Sequence, residues 1–174
     1  MHLIAVTRPE FFAEEPSQIV DLLKNGFKKV HLRKPESTAG ELAELIERIP
    51  AEYREKLVLH DHYELAETYG LKGLHLNRRN PNPPVGYQGR LSASCHSLAE
   101  IPVALERCDY VFLSPVFDSI TKPGYRAAFT EEELQKADLT NVYALGGVTP
   151  AKLPQLEKLG FAGAALLGAV WKVK

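Results

Sequence analysis

Four polar side chains that could bind an anion follow one apolar segment of the chain. The run from 110 to 117 predicts a buried strand, and Asp118, Ser119, Thr121 and Lys122 come directly after it. An ammonium group with neighbouring hydroxyls can bind phosphate oxygens. Because α/β barrels build their sites from the carboxyl ends of buried strands, this segment favours a site for an anionic substrate.

Several other predicted strands also end in polar residues, many of them cationic. These residues are Arg8, Arg33, Lys34, His60, Asp61, Asn77, Arg78, Arg79, Asn80, Ser94 and His96. On one face of a barrel they would combine many cations with only two carboxylates, Asp61 and Asp118. Such a set is typical of a site for a phosphorylated or diphosphorylated substrate.

Asp61 has two interpretations. Its carboxylate could organise Mg²⁺ and a diphosphate, or it could cap the helix that the pattern over 62–69 predicts. Side chains alternate in direction along a strand, so His60, Asp61 and His62 should not face one ligand, and we expect no zinc site there. Isolated histidines elsewhere are typical of packing positions, as at His2, His31 and His75.

Two turns that contain glycine could bind a phosphate group. Gly146 and Gly147 precede Thr149-Pro150, which predicts a helix start, and glycines let backbone N–H groups approach a phosphate there. Gly168 closes the last predicted strand in a similar way. Because barrels often bind phosphate in the loops after strands seven and eight, the two turns together indicate a phosphate subsite.

Short apolar segments alternate with amphipathic ones along the whole chain. Predicted strands cover 3–7, 29–34, 56–61, 73–77, 90–96, 110–117, 142–147 and 163–170. Most are too uniformly apolar to have a solvated face, which favours parallel strands covered by helices. Between them, capping-box patterns predict helix starts at Thr38, Ser97 and Thr130.

Eight strands in this alternation predict a single domain, residues 1–174, with the compact (β/α)8 fold of a TIM barrel. We expect the fourth and eighth outer helices to be shortened or missing. Segment 78–89 is too rich in proline, asparagine and glycine for a full fourth helix, and the chain ends four residues after the last predicted strand. Val170, Trp171 and Val173 would then form an exposed apolar tail, and we expect a homodimer that covers it.

Composition and charge argue against several functional classes. The formal net charge is -1, so no general field attracts nucleic acid or an acidic membrane surface. The first residues do not form a signal peptide, and no segment has the length of a membrane span. The two cysteines are too few for a disulfide framework or a zinc cluster. We therefore expect a cytoplasmic protein with a local anion site.

In their order and spacing, these motifs resemble those of the thiamine phosphate synthase family and its relatives, the thiazole tautomerases. The resemblance runs from Leu3 to Val170 and rests on HLRK (31–34), LHD (59–61), GLHLNRRN (73–80), SCHS (94–97), SPVFDSITKPG (114–124) and ALGG (144–147). It implies a transferase of thiamine biosynthesis that couples hydroxymethylpyrimidine diphosphate to a thiazole phosphate and releases pyrophosphate. It also implies Mg²⁺ as the cofactor.

The resemblance and the residue types together predict a role for each site residue. Lys122, Arg33 and Ser94 would be catalytic, and Asp61 and Asn80 would hold the metal. The residues expected to bind substrate are His31, Arg33, Lys34, Arg78, Arg79, Ser119, Thr121, Gly146, Gly147 and Gly168.

Several positions depart from the family pattern: His31 replaces glutamine, Pro35 replaces lysine, His60 replaces asparagine, Asn80 replaces a second metal aspartate, and Ser119 replaces threonine. Lys34 could stand in for the lysine lost at Pro35. Asn80 keeps an oxygen ligand but loses a charge, and Mg²⁺ prefers carboxylates. The adjacent Arg78 and Arg79 could take over part of the charge neutralisation on the diphosphate.

Two alternative functions stay open at this point. A thiazole tautomerase of the same superfamily needs a general acid/base and no diphosphate site. Some tautomerases place a histidine where this chain has Ser114-Pro115, which counts against that alternative. A non-catalytic protein that senses or carries thiamine precursors is the other alternative, which the weakened metal site and the expected lack of the last helix leave open.

Overall fold

All eight predicted strands are present in the computed structural model, which describes residues 1–118, 124 and 126–172. Every strand is parallel to its neighbours, and β8 pairs with β1, which closes the barrel. The prediction of a (β/α)8 barrel is therefore confirmed. The strands are β1 (His2–Val6), β2 (Lys29–Leu32), β3 (Leu57–Leu59), β4 (Gly73–Leu76), β5 (Arg90–Cys95), β6 (Tyr110–Leu113), β7 (Val142–Ala144) and β8 (Gly163–Leu166).

Most strands end earlier than the apolar pattern predicts. β2 ends at Leu32, β3 at Leu59 and β6 at Leu113. The polar residues that follow therefore lie in loops and not in the sheet. Because all the strands are parallel, these loops share the carboxyl end of the barrel.

Seven α-helices lie within the part of the chain that the structure describes. They are α1 (Glu15–Lys24), α2 (Ala39–Glu47), α3 (Ala51–Arg54), α4 (Glu64–Tyr69), α5 (Glu100–Leu105), α6 (Glu131–Gln135) and α7 (Leu153–Lys158). A 3-10 turn, Pro150–Lys152, precedes α7. No helix among residues 1–118, 124 and 126–172 is long and apolar enough to cross a membrane.

Two of the three predicted capping boxes form. The Thr38 and Thr130 hydroxyls accept the backbone N–H of Glu41 and Glu133, whose carboxylates bind back to the cap. The prediction of a helix start at Ser97 is wrong. Helix α5 begins at Glu100, because the carboxylate of Glu100 accepts the backbone N–H of the residue before Ser97 and holds this segment in a turn.

The expected gap in the outer layer after β4 is confirmed. No helix lies between β4 and β5, and none lies in 167–172. Trp171 nevertheless is only 8% exposed. Its Nε1 donates to the carbonyl of Val6 (2.7 Å), and its ring packs edge-to-face on Phe12. The prediction of an exposed Trp171 is therefore wrong, because the ring lies against β1 and the loop before α1. Val173 lies outside the described residues.

The apolar core has two parts, separated by the barrel wall. The larger part lies between the strands and the helices and includes Ile19, Ile46 and Leu156. The smaller part fills the inside of the barrel with Ile4, Val6, Tyr110, Phe112 and Ala165. Burial of these side chains stabilises the scaffold by roughly 25 cal/mol per Å² of apolar surface. Polar side chains line the interior of the barrel above these apolar residues.

Candidate active site

Arg33 lies at the carboxyl end of the barrel, in the loop after β2. Its backbone N–H donates to the hydroxyl of the buried Thr7 (2.8 Å), which ties this loop to the end of β1. Its side chain is close enough to two buried imidazoles to lower their pKa. Burial, and after it neighbouring charges that include Arg33, lowers the pKa of His60 and His75. Arg33 therefore stands where the sequence predicts a cation.

Asp61 is paired with Arg79 across the loops after β3 and β4. Arg79 donates from Nε to Oδ1 (2.9 Å) and from Nη2 to Oδ2 (3.0 Å) of the carboxylate. Asn80 donates from Nδ2 to the same Oδ1 (2.9 Å). The predicted neighbourhood of Asp61 and Asn80 is therefore correct. The alternative role of Asp61 as a helix cap is wrong, since Tyr63 occupies that position and α4 has no side-chain cap.

The loop that carries Arg79 and Asn80 is held by Asn77, which was predicted only as a polar residue at the strand end, and by Tyr63, for which no role was predicted. The Asn77 side chain accepts the backbone N–H of Arg79 (3.0 Å) and donates to the carbonyl of His60 (2.5 Å). The Tyr63 hydroxyl donates to the carbonyl of His75 (2.6 Å) and also contacts that of Asn80 (3.2 Å). These bonds preorganise the arginine loop over β3. The sequence signal for this turn is Asn77, two residues before Arg79, because asparagine side chains often bind the backbone two residues further on.

Lys34 does not reach the site, so its assignment to substrate binding is wrong for this arrangement. Its ammonium is fully buried and binds both carboxylate oxygens of Glu15 (2.7 and 2.8 Å) and the carbonyls of Arg8 and Glu10. Phe11 covers it at 4.5 Å from the ring centroid. Burial lowers the pKa of Lys34 and raises that of Glu15, and their pairing opposes both shifts. The pair fastens the β1–α1 loop to the end of β2.

Three histidines fill the inside of the barrel below these loops. Nδ1 of His31 lies 3.0 Å from Nε2 of His60, and Nε2 of His31 lies 2.8 Å from the hydroxyl of Tyr110. His75 stacks on His60 with 4.1 Å between the ring centroids. His31 is fully buried, so its predicted contact with substrate is not direct. Its hydrogen bond to His60 connects it to the upper part of the barrel interior.

All three imidazoles are neutral near pH 7. Burial is the main cause, and it lowers the pKa of His75 to about 3 and the pKa of His31 and His60 well below the usual value. A neutral imidazole has one N–H donor and one acceptor nitrogen. The bond between His31 and His60 therefore couples their tautomers, because a donor on one ring requires an acceptor on the other.

These histidines do not form a metal site, although their nitrogens lie within 4.8 Å of one another. Both nitrogens of His31 and both of His75 already have hydrogen-bond partners. The rings of His60 and His75 are nearly parallel, at 14°. A metal about 2 Å from each nitrogen would have to lie in both ring planes, which stacked rings do not allow.

Ser94 is exposed at the mouth of the barrel, as expected for a residue that contacts substrate. Its hydroxyl lies 3.0 Å from Nε2 of His75, and the buried Ser92 lies 2.9 Å from the other nitrogen of that ring. The sequence predicts a packing role for His75, and its contact with Ser94 was not predicted. Alternation along β4 and β5, which places His75 and Ser94 on the inner face, was the available signal.

The Gly146-Gly147 turn lies against the loop after β6. Both glycines have positive φ, 88° and 63°. A Cβ on Gly147 would overlap the carbonyl oxygens of Phe117 and Asp118, and one on Gly146 would meet Pro115. Phe117 also donates its backbone N–H to the carbonyl of Gly146 (3.1 Å). The two loops therefore approach closely, which gives the glycines a packing role beside the predicted phosphate role.

The remaining predicted residues have different surroundings. Asp118 accepts the backbone N–H of Ala127 (2.7 Å) and so closes the base of its loop. Arg78 is exposed and makes no side-chain hydrogen bond or ion pair within the described ranges, and Gly168 is exposed in the turn after β8. The predicted residues Ser119, Thr121 and Lys122 lie outside the described residues.

Comparisons with known proteins agree with the motifs. The family model for thiamine monophosphate synthase matches residues 3–170. A thiamine-phosphate synthase from Thermus thermophilus is 28% identical over 171 residues, which cover 92% of this chain and 83% of that protein.

Two solved structures are similar over nearly the whole chain. The crystal structure of thiamine phosphate pyrophosphorylase from Bacteroides thetaiotaomicron is 40% identical, with a TM-score of 0.87, and the match covers 98% of this chain and 85% of that one. Thiamine phosphate pyrophosphorylase from Pyrococcus furiosus is 21% identical with a TM-score of 0.77, over 97% of this chain and 86% of that one. The latter similarity supports the fold.

Proposed function

Because the chain belongs to the thiamine monophosphate synthase family, we propose that it couples hydroxymethylpyrimidine diphosphate to thiazole phosphate, with release of pyrophosphate. The observation that carries this proposal is the cationic mouth of the barrel. Arg33 and Arg79 lie there near uncharged histidines, and the exposed Ser94 lies at the same end of the barrel. Such a mouth suits a diphosphate next to an uncharged aromatic ring.

The first step breaks the bond between the pyrimidine methylene carbon and the diphosphate oxygen. The electron pair leaves with pyrophosphate, and the carbon becomes a cation stabilised by the ring. Guanidinium groups near that oxygen stabilise the departing negative charge, which is the electrostatic contribution expected of Arg33 and Arg79. We assign the same role to Lys122 from its place in the sequence motif.

The second step forms the bond between the cationic carbon and the thiazole nitrogen, which uses its lone pair. No proton has to move in this step, so the neutral state of the histidines does not hinder it. Holding both substrates on one rigid face supplies most of the remaining rate enhancement. We place the thiazole phosphate near Gly146, Gly147 and Gly168, with Ser119 and Thr121 as further contacts, and the pyrimidine near Ser94.

Mg²⁺ is the cofactor that the family resemblance implies, and Asp61 and Asn80 would have to hold it. The donor set does not fit this ion well. Mg²⁺ requires oxygen ligands at about 2.0–2.1 Å, whereas both oxygens of Asp61 accept N–H groups from Arg79 and Asn80. A cationic guanidinium also repels a second cation at the same carboxylate. The steps above therefore use side chains alone.

The test is an assay of the purified protein with both substrates. Formation of thiamine phosphate and an equal amount of pyrophosphate is expected. Arg33→Met should lower the rate by about 10- to 100-fold, the cost of a charge-assisted hydrogen bond to the leaving group. Arg90→Met serves as the control, because Arg90 pairs with Asp109 at the opposite end of the barrel. Binding of both substrates without product would contradict the proposal and favour the non-catalytic alternative.

Two further expectations belong to this proposal. A homodimer is still expected in solution, and light scattering at micromolar concentration would test it, although the buried Trp171 no longer supports the interface. The protein would act in the cytoplasm on small phosphorylated molecules, and cell fractionation would test this location.

A further inference from the structure

The salt bridge between Asp61 and Arg79 uses both oxygens of the carboxylate. The two N–H···O contacts are parallel and short, 2.9 and 3.0 Å. The Asp61 side chain is only 11% exposed, whereas that of Arg79 is 51% exposed. Asp61 is therefore held inside the loop, and Arg79 covers it from the solvent side.

Asn80 completes this arrangement with a donor. Its Nδ2 binds Oδ1 of Asp61 at 2.9 Å, so that oxygen accepts two N–H groups. An amide that turns its nitrogen to Asp61 cannot offer its oxygen to an ion at the same place. The three groups neutralise the carboxylate by hydrogen bonds and by one positive charge.

Arg79 keeps donors for a second partner. A guanidinium has five N–H donors, and only two of them bind Asp61. The other three have no hydrogen-bond partner within the described part of the chain, and the side chain as a whole is 51% exposed. The backbone of this loop is held by the Asn77 side chain and the Tyr63 hydroxyl. Arg79 therefore presents a positioned cation at the mouth, as a metal ion beside Asp61 would.

We propose that Arg79 takes the place of a divalent cation in this chain: it binds Asp61 with one edge and a diphosphate with its free N–H groups. Asp61 then acts as a positioning residue for the guanidinium and not as a metal ligand. The identity of the diphosphate as a pyrimidine derivative rests on the proposed function. The binding of a diphosphate group without metal is independent of the proposed function.

The first test measures divalent cation binding without substrate, with Mn²⁺ as the probe and electron paramagnetic resonance of free Mn²⁺ as the readout. We expect no saturable binding by the wild-type protein at millimolar Mn²⁺. Arg79→Met combined with Asn80→Asp should create a saturable site, because it frees one carboxylate and adds another. Arg90→Met, which removes a surface arginine–aspartate pair at the other end of the barrel, should bind no Mn²⁺. Saturable binding by the wild type that Asp61→Asn abolishes would overturn the proposal.

The second test measures the binding of inorganic pyrophosphate in the presence of EDTA by calorimetry. The wild type should bind, Arg79→Met should bind about 10- to 100-fold more weakly, and Arg90→Met should equal the wild type. Asp61→Asn should also weaken binding, because the guanidinium loses its anchor. Equal affinities of wild type and Arg79→Met would overturn the proposal. Neither test requires the coupling reaction, so a failure of the proposed function is recognised separately.

Discussion

His75 and Ser94, on the neighbouring strands β4 and β5, form a hydrogen-bonded pair at the mouth of the barrel, with 3.0 Å between Nε2 and Oγ. The second nitrogen of His75 is engaged by the buried Ser92. The ring is thus held on both sides, and it orients the one hydroxyl of this set that is exposed. His75 is a positioning residue for Ser94.

Ser94→Ala is expected to lower turnover by about 10- to 100-fold, since the removed hydroxyl would bind a group that changes charge in the reaction. His75→Phe should lower turnover as well, because Ser94 loses its orientation. The double variant should be no slower than Ser94→Ala, since the two residues act as one unit. Steady-state turnover of the three variants gives the coupling energy between His75 and Ser94. A loss of turnover in the double variant equal to the product of the two single losses would contradict a shared role. Thermal unfolding of each variant controls for stability.

Lys122→Ala is expected to lower turnover far more than it lowers thermal stability. Its ammonium follows two hydroxyl-bearing positions of the motif and can neutralise a departing phosphate as a point charge. Lys136→Ala is a suitable control, because Lys136 is exposed and pairs with Glu132 one helical turn away. Parallel kinetics and thermal unfolding would check this. Wild-type turnover in Lys122→Ala would remove this lysine from the site.

Lys34→Met is expected to destabilise the protein by about 3–5 kcal/mol, because it leaves the buried carboxylate of Glu15 without its partner. Lys34→Met combined with Glu15→Leu should recover much of this loss, since no buried charge remains. Urea unfolding at neutral pH measures both effects. Pyrophosphate affinity of the double variant should equal that of the wild type. A lower affinity would show that Lys34 does serve the substrate.

Gly147→Ala is expected to disturb the mouth of the barrel. Its new methyl group would overlap the carbonyl oxygens of Phe117 and Asp118 and would also strain a residue with φ of 63°. Gly70→Ala is the matched control, because Gly70 has φ of 67° and open space around its Cα. The free energy of unfolding of the Gly70→Ala control should decrease by about 1–2 kcal/mol, from backbone strain alone. Chemical denaturation should show a larger loss for Gly147→Ala, and equal losses would mean that the loops can separate.

Stability is expected to fall as the pH drops below about 6.5, the ordinary pKa of histidine. Burial lowers the pKa of His75 to about 3 and also lowers that of His31. Below pH 6.5 the unfolded chain therefore binds protons that the folded chain does not, and the free energy of unfolding decreases by roughly 1 kcal/mol per pH unit for each such histidine. His31→Gln should make this decrease shallower, and His2→Gln, at an exposed position, is the control. Denaturation at several pH values checks both, and an unchanged slope in His31→Gln would contradict the expectation.

The architecture of the barrel follows from local patterns in the sequence. Uniformly apolar segments such as Tyr110–Leu113 predict buried parallel strands, because a solvated face would require alternation. Thr38 and Thr130 mark helix starts because a capping box is completed within four residues. The ends of the strands were less predictable. The apolar run continues beyond Leu113, where the hydrogen-bonded strand β6 ends.

The partners of the charged and polar site residues were decided only by the tertiary structure. Lys34 has the residue type and position of a phosphate ligand, yet Glu15, the first residue of α1, binds it in the core. Asp61 likewise meets Arg79 because the loop after β4 folds back over β3. Residue type and spacing indicate that a cation follows a strand. They do not indicate which opposite charge pairs with that cation in the folded protein. The pairing depends on the path of the loops between strands that are distant in sequence.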